Sequence, residues 1–256
     1  MELRCLLSLS VLALGMSACG GTRLVKDAPP APRPARPLAA ATDASLGIRL
    51  VWVMLRNGPG AWASNADWDE YLMQVDNHAA GPISVTRIAV RDSLGTLLTP
   101  DSDRGRLVEA SRQTVRRYED AGIEVQAGRG GNRLLAIGDT SSAAAALGVA
   151  LGLIVGGPIV ATIRIMRVVR NGEVANRIEQ RHTPLPLALA PGQAAALDVF
   201  FPIAPSPQRL EISYSDATGE HRLELDTRQA LEGLHLDRSS TATGTALDTA
   251  ASATTP

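Results

Sequence analysis

Aromatic residues are scarce: three Trp, three Tyr and two Phe in 256 residues. Any core must therefore rest on Ala, Val, Leu and Ile, which the 45% hydrophobic content supplies. Charge of one sign is also missing. The net charge is −1, with no basic stripe interleaved with aromatics, which gives no reason to expect a nucleic-acid partner. Lys26 is the single lysine among 25 basic residues, a bias of the kind GC-rich codon usage produces. The two cysteines, Cys5 and Cys19, both lie near the N-terminus, so the body of the chain has neither disulfide nor thiol chemistry. A domain of this kind must be stabilised by packing alone.

Catalytic and cofactor motifs are absent too. No Gly-x-Ser-x-Gly elbow occurs, and His78, His182, His221 and His235 are too far apart in sequence for a metal-ligand spacing. The loop Gly128-Arg129-Gly130-Gly131-Asn132-Arg133 has backbone amides for a phosphate but lacks the Lys-Ser/Thr ending, so it reads as a connector. Asp101, Asp103 and Glu109 lack the spacing of a calcium loop. Asp67, Asp69 and Glu70, beside Trp62 and Trp68, read as a solvated loop with no fixed acid–base partner. Trp52 is expected in the core. Trp62 and Trp68 flank a turn at 63–67, either as an exposed recognition tip or partly buried at a sheet edge. No catalytic residue, metal or cofactor is expected, and the chain is read as a non-enzyme.

What is present begins with an address. Met1 to Arg4 is a short polar start, and Cys5 to Gly15 is an apolar run too short to span a bilayer. It closes on Met16-Ser17-Ala18-Cys19-Gly20, small residues directly before a cysteine. This segment resembles the lipobox of bacterial lipoproteins, which implies a signal peptide at 1–18 and a lipid (palmitate among its acyl chains) on Cys19. An ordinary signal peptide cleaved near Ala18 would instead leave Cys19 as a free thiol. Gly20, where inner-membrane lipoproteins commonly carry Asp, implies the periplasmic face of the outer membrane over the inner membrane.

Residues 19–45 contain Pro29, Pro30, Pro32, Pro34 and Pro37 among many alanines and read as an extended tether. Residues 229–256 read as a disordered tail, since beyond Ser239 only Leu247 is a large aliphatic. Between them, 46–101 and 183–228 show strand alternation. Tyr71, Met73 and Val75 share one face. Ile83 and Val85 are out of phase with Ile88 and Val90, which a bulge near Arg87 reconciles. Asp92 to Gly95 reads as a turn. Ala195, Leu197, Val199 and Phe201 share a face, and Leu210, Ile212, Tyr214 with Leu223, Leu225 form a hairpin over Asp216 to Gly219. The fold class predicted is mainly β, an immunoglobulin-like sandwich with a helical, glycine-rich insertion, α+β overall. The run from Pro191 to Pro207 is similar to a segment of uncharacterised proteobacterial envelope lipoproteins, a resemblance that implies a fold class and no activity.

Residues 102–182 form the insertion. Leu107, Val108, Ser111, Val115 and Tyr118 predict a surface helix over 106–118, ending before Gly122. Thr140 to Ile163 carries no charge, and Ala144, Gly148, Gly152 and Gly156 recur every fourth residue, a ridge that another backbone can approach closely on a helix. This glycine zipper could insert in a bilayer or pack internally. Residues 158–182 could be helix, from the arc of Arg164, Arg167 and Arg170, or hairpin, from Asn171-Gly172. Two functions remain: a lipid-anchored envelope protein with a structural or interaction role, partnered by the membrane and by a protein or itself, or a membrane-active, oligomerising subunit using the ridge.

Overall fold

The computed structural model describes residues 36–130 and 172–236. Nine strands and two helices occur among them. The strands are β1 (Ala39–Thr42), β2 (Leu46–Met54), β3 (Asp69–Asn77), β4 (Ile83–Arg91), β5 (Leu97–Leu98), β6 (Leu187–Leu189), β7 (Ala194–Phe201), β8 (Arg209–Asp216) and β9 (Gly219–Asp226). Helix α1 is Arg104–Asp120, and residues 172–181 form α2. The chain is mainly β, in two antiparallel sheets. One has the order β1-β2-β3-β7; the other runs β5-β4-β8-β9, with β6 also pairing β4.

The two blocks of strand sequence share both sheets. In the first sheet β3 pairs β7, with Tyr71 opposite Val199 and Met73 opposite Leu197. In the second β4 pairs β8, with Ile88 opposite Ile212 and Val90 opposite Leu210. One apolar cluster draws on both: Leu50, Tyr71, Met73 and Phe201 from the first sheet, Ile88, Ile212 and Leu225 from the second. Tyr71 and Phe201 meet edge to face at 5.0 Å, an arrangement that adds to their area burial.

Two bulges keep this apolar face continuous. In β4 the register slips between Val85 and Arg87, which leaves Thr86 unpaired and turns Ile83, Val85, Ile88 and Val90 all inward. The second bulge, between Leu50 and Trp52 in β2, carries no signal in the sequence. It turns Val53 inward behind Leu50 and puts Trp52 on the other side of the sheet. Trp52 is buried, outside the core between the sheets, against Gly60.

That far side of the first sheet carries a third layer at one end. Trp62, Ala63, Ala66 and Trp68 from the β2–β3 loop, Leu107 and Val108 from α1, Val174 and Ile178 from α2, and Phe200 from β7 form a second apolar cluster. Helix α1 begins at Asp103, whose side chain accepts from the Arg106 N–H at 2.8 Å. It ends where Gly122 adopts φ +74°. Its buried face is Leu107, Val108, Ser111, Thr114 and Tyr118, with Thr114 in the place expected for Val115.

Two boundaries differ from the sequence expectation. Strand β1 lies inside the stretch 19–45 assigned to a tether: Ala39 and Ala41 pack against the core, and Ala39 pairs Leu50. Alanine has little strand preference of its own, so pairing with β2 decides. The fold also extends past 228, because Leu231, Leu234 and His235 are buried and Leu236 bridges Val125. Only 237–256 of the expected tail lies outside the described residues. Residues 172–181 are helix and not the second arm of a hairpin; 158–171 and the ridge of Ala144, Gly148, Gly152 and Gly156 lie outside the described residues, as does Cys19.

Candidate functional site

Strand β3 opens on two carboxylates, and strand alternation sends them to opposite faces. Asp69 and Glu70 are 0% and 2% exposed, which overturns the reading of Asp67, Asp69 and Glu70 as a solvated loop. Asp67, just ahead of the strand, pairs with Arg56 at 3.3 Å, and its carbonyl accepts from Ser111 Oγ at 2.5 Å. Burying a carboxylate demands a partner, because desolvation is otherwise too costly. Each of the two has one.

Asp69 points into the core between the sheets and meets His235, itself 0% exposed; Nε2 lies 2.7 Å from Oδ2. The tautomer follows from the other ring nitrogen. Nδ1 lies 2.9 Å from the Gly128 N–H, which can only donate, so Nδ1 accepts and Nε2 carries the hydrogen given to Asp69. Both nitrogens are thereby occupied, and the pair acts as a brace for the C-terminal segment. Burial, with the negative Asp69 nearby, pushes the Tyr71 hydroxyl well above its usual range.

Glu70 points to the third layer. Its Oε2 accepts from Trp62 Nε1 at 2.6 Å, and its Oε1 accepts from Arg181 through Nε at 2.7 Å and through Nη2. The same Nη2 reaches Asp198 Oδ2 at 3.0 Å. Arg181 ends α2, so this cluster ties the helix to β3 and β7. Thr183 reinforces it: its N–H donates to the Asp198 carbonyl at 2.8 Å, and its Oγ1 accepts from the Asp198 N–H at 2.9 Å. Burial first, then the negative Glu70, push the Asp198 carboxyl up to about 8, against the opposing pull of Arg181. Asp198 Oδ1 is buried and has no hydrogen-bond partner. Burial also pulls the His182 imidazole down.

Trp62 and Trp68 form no exposed tip. They lie 6.4 Å apart, Trp62 meets Phe200 edge to face, and the Arg177 guanidinium stands 5.8 Å over the Trp62 ring. A cavity of about 10 Å³ beside Trp62, Trp68 and Glu70 leaves room for at most one water.

The remaining sequence candidates have structural employment. Gly128 and Gly130 take φ +84° and +85°, and a Cβ on Gly128 would meet the Arg56 carbonyl at 2.7 Å, so close approach explains the glycines described in that loop. Arg106 holds the Asp101 carboxyl below its usual range, Asp103 caps α1, and Glu109 faces Arg112. His221 pairs with Asp216, whose carboxyl is pulled down to about 2 by Thr218 and His221. No group of three His, Cys, Asp or Glu side chains among the described residues could hold a metal ion.

The Glu70 cluster has a measurable worth. Arg181→Ala leaves Glu70 buried with Trp62 as its one remaining partner. Removing one member of a buried pair costs about 3–5 kcal/mol, and the partial exposure of Arg181 puts this case near the lower end. Urea denaturation at pH 7 should show a loss of about 3 kcal/mol. A loss under about 1 kcal/mol, the range of surface pairs, would mean that the cluster does not hold the helix.

Comparison of the chain with protein-family models, with curated proteins and with solved structures finds no match.

Proposed function

We propose that this chain is a lipid-anchored envelope protein: Cys19 carries the acyl chains, the Pro/Ala-rich stretch holds the domain off the bilayer, and the domain has a non-enzymatic structural or interaction role. The observation that carries the reading is the small-small-Cys run after a short apolar segment, with the first strand of the fold starting at Ala39. The twenty or so residues between allow a reach of roughly 60 Å at about 3.1 Å per residue in the extended proline-rich form. Two acyl chains suffice for stable anchoring. Gly20 favours the periplasmic face of the outer membrane as its location.

The domain itself is proposed as an immunoglobulin-like sandwich. The shared core between two antiparallel sheets and the non-consecutive pairs β3–β7 and β4–β8 support that class. An interaction role is supported by the part of the first sheet's outer face beyond the third layer, where Ala40, Thr42, Ala194 and Ala196 are exposed beside the Arg49–Asp76 ion pair. No helix among the described residues is long and apolar enough to cross a membrane.

Metabolic labelling with an alkyne palmitate tests the anchor. The mature chain should incorporate the label, and its N-terminal peptide should begin at Cys19 with the mass of the acyl groups added. A mature chain that takes up no label and starts elsewhere would remove the basis of the reading.

A further inference from the structure

The cluster that ties α2 to the first sheet has an odd number of charges. Two carboxylates, Glu70 on β3 and Asp198 on β7, converge on one guanidinium, Arg181 at the end of α2. Glu70 is already satisfied by Arg181 and by Trp62 Nε1. Asp198 has one oxygen on Arg181, and its other oxygen is buried without a partner. A second full negative charge there is opposed by desolvation and by Glu70, with one cation to serve both.

We propose that Asp198 is protonated in the native state near neutral pH, and that this proton makes the Glu70–Asp198–Arg181 cluster an alkali-released clasp on α2. The physical reason is linkage. Any opening that lifts α2 from the sheet brings water to Asp198 and returns it to the ordinary carboxyl range, so opening is coupled to loss of the proton. The sign follows. A carboxyl raised in the folded state favours the closed form below the ordinary carboxyl range, and that advantage is lost as pH rises through the raised value, about 8 here. Closure of α2 therefore weakens between roughly pH 4 and pH 8.

The other charged groups around the clasp do not supply the missing cation. On α2, Arg177 stands over the Trp62 ring. After the helix, His182 packs beside Phe200 and burial pulls its imidazole down. Asp101, which acts on His182, is engaged by Arg106, and Asp67 in the β2–β3 loop is paired with Arg56. The helix so held follows the uncharged stretch Thr140–Ile163 in sequence.

Amide exchange on the full mature chain reads the clasp. After correction for intrinsic exchange, protection of amides in 172–181 should fall at least tenfold between pH 6 and pH 9, while the β8–β9 hairpin changes far less. In Asp198→Asn, which keeps the shape and an oxygen for Arg181, protection of α2 should lose that pH dependence. Equal loss in Asp198→Asn, or no loss in the wild type, overturns the proposal. Should the variant fail to fold, the ¹³C shift of the Asp198 carboxyl in the wild type decides: a midpoint above pH 7 supports the clasp, and one in the ordinary carboxyl range overturns it.

Discussion

Residues 46–101 expressed alone should show no cooperative unfolding transition, although they contain four of the nine described strands. In the folded chain β3 lies between β2 and β7, and β4 pairs β8 along seven positions. Cutting after 101 strips one side of β3 and leaves β4 with β5, two residues long, as its only ladder partner in the fragment. It also removes Leu197, Val199, Phe201, Leu210, Ile212, Leu223 and Leu225, all members of the core between the sheets. Each such side chain contributes about 1.5–3 kcal/mol by burial, so seven of them together amount to about 10–21 kcal/mol, as large as the 5–15 kcal/mol by which a domain is usually stable. Circular dichroism and thermal melting of the fragment should resemble those of an unfolded chain. A sharp, reversible transition from 46–101 would show two independent domains and separate the strand blocks that the pairing joins.

Much of this arrangement was legible in the residues, because alternation is a strong signal wherever a strand has one apolar face. The β8–β9 hairpin runs where Leu210, Ile212, Tyr214 and Leu223, Leu225 indicate. The phase change from Val85 to Ile88 by itself requires a bulge, and the register slips at that point of β4. What could not be read has physical causes. Strand β1 is three alanines and a threonine that pair only because β2 offers an edge. Leu231, Leu234 and His235 belong to no periodic run; His235 is held by the Gly128 and Arg129 backbone, and the Leu234 carbonyl accepts from the Ser206 N–H.

The polar cluster was hidden for a different reason. Asp69 and Glu70 are charged residues in adjacent positions, a pattern that usually marks a solvated loop. Their partners, His235 and Arg181, lie 166 and 111 positions away. One weak hint exists: Tyr71, Met73 and Val75 share a face, and carrying the alternation back puts Asp69 on that same buried face and Glu70 on the other. A carboxylate in phase with a core face calls for a buried partner. For Trp62 and Trp68 the residues left two readings open, an exposed tip or burial at a sheet edge, and both rings are buried in the third layer.

The claim on which the functional reading stands is that Cys19 ties the folded domain to a membrane. The thiol of a lone exported cysteine would otherwise be a reactive liability, whereas acylation makes attachment effectively permanent at about 0.8 kcal/mol per buried methylene. Cys19→Ser changes a residue outside the described fold and 20 positions from β1, so the domain should melt as the wild type does. Fractionation of cells expressing each form is the most direct measurement. Wild-type protein should pellet with the outer membrane and resist high-salt extraction, and Cys19→Ser should leave that pellet almost completely. Equal membrane partition of the two forms, with an unmodified N-terminal peptide in the wild type, would contradict the lipid anchor.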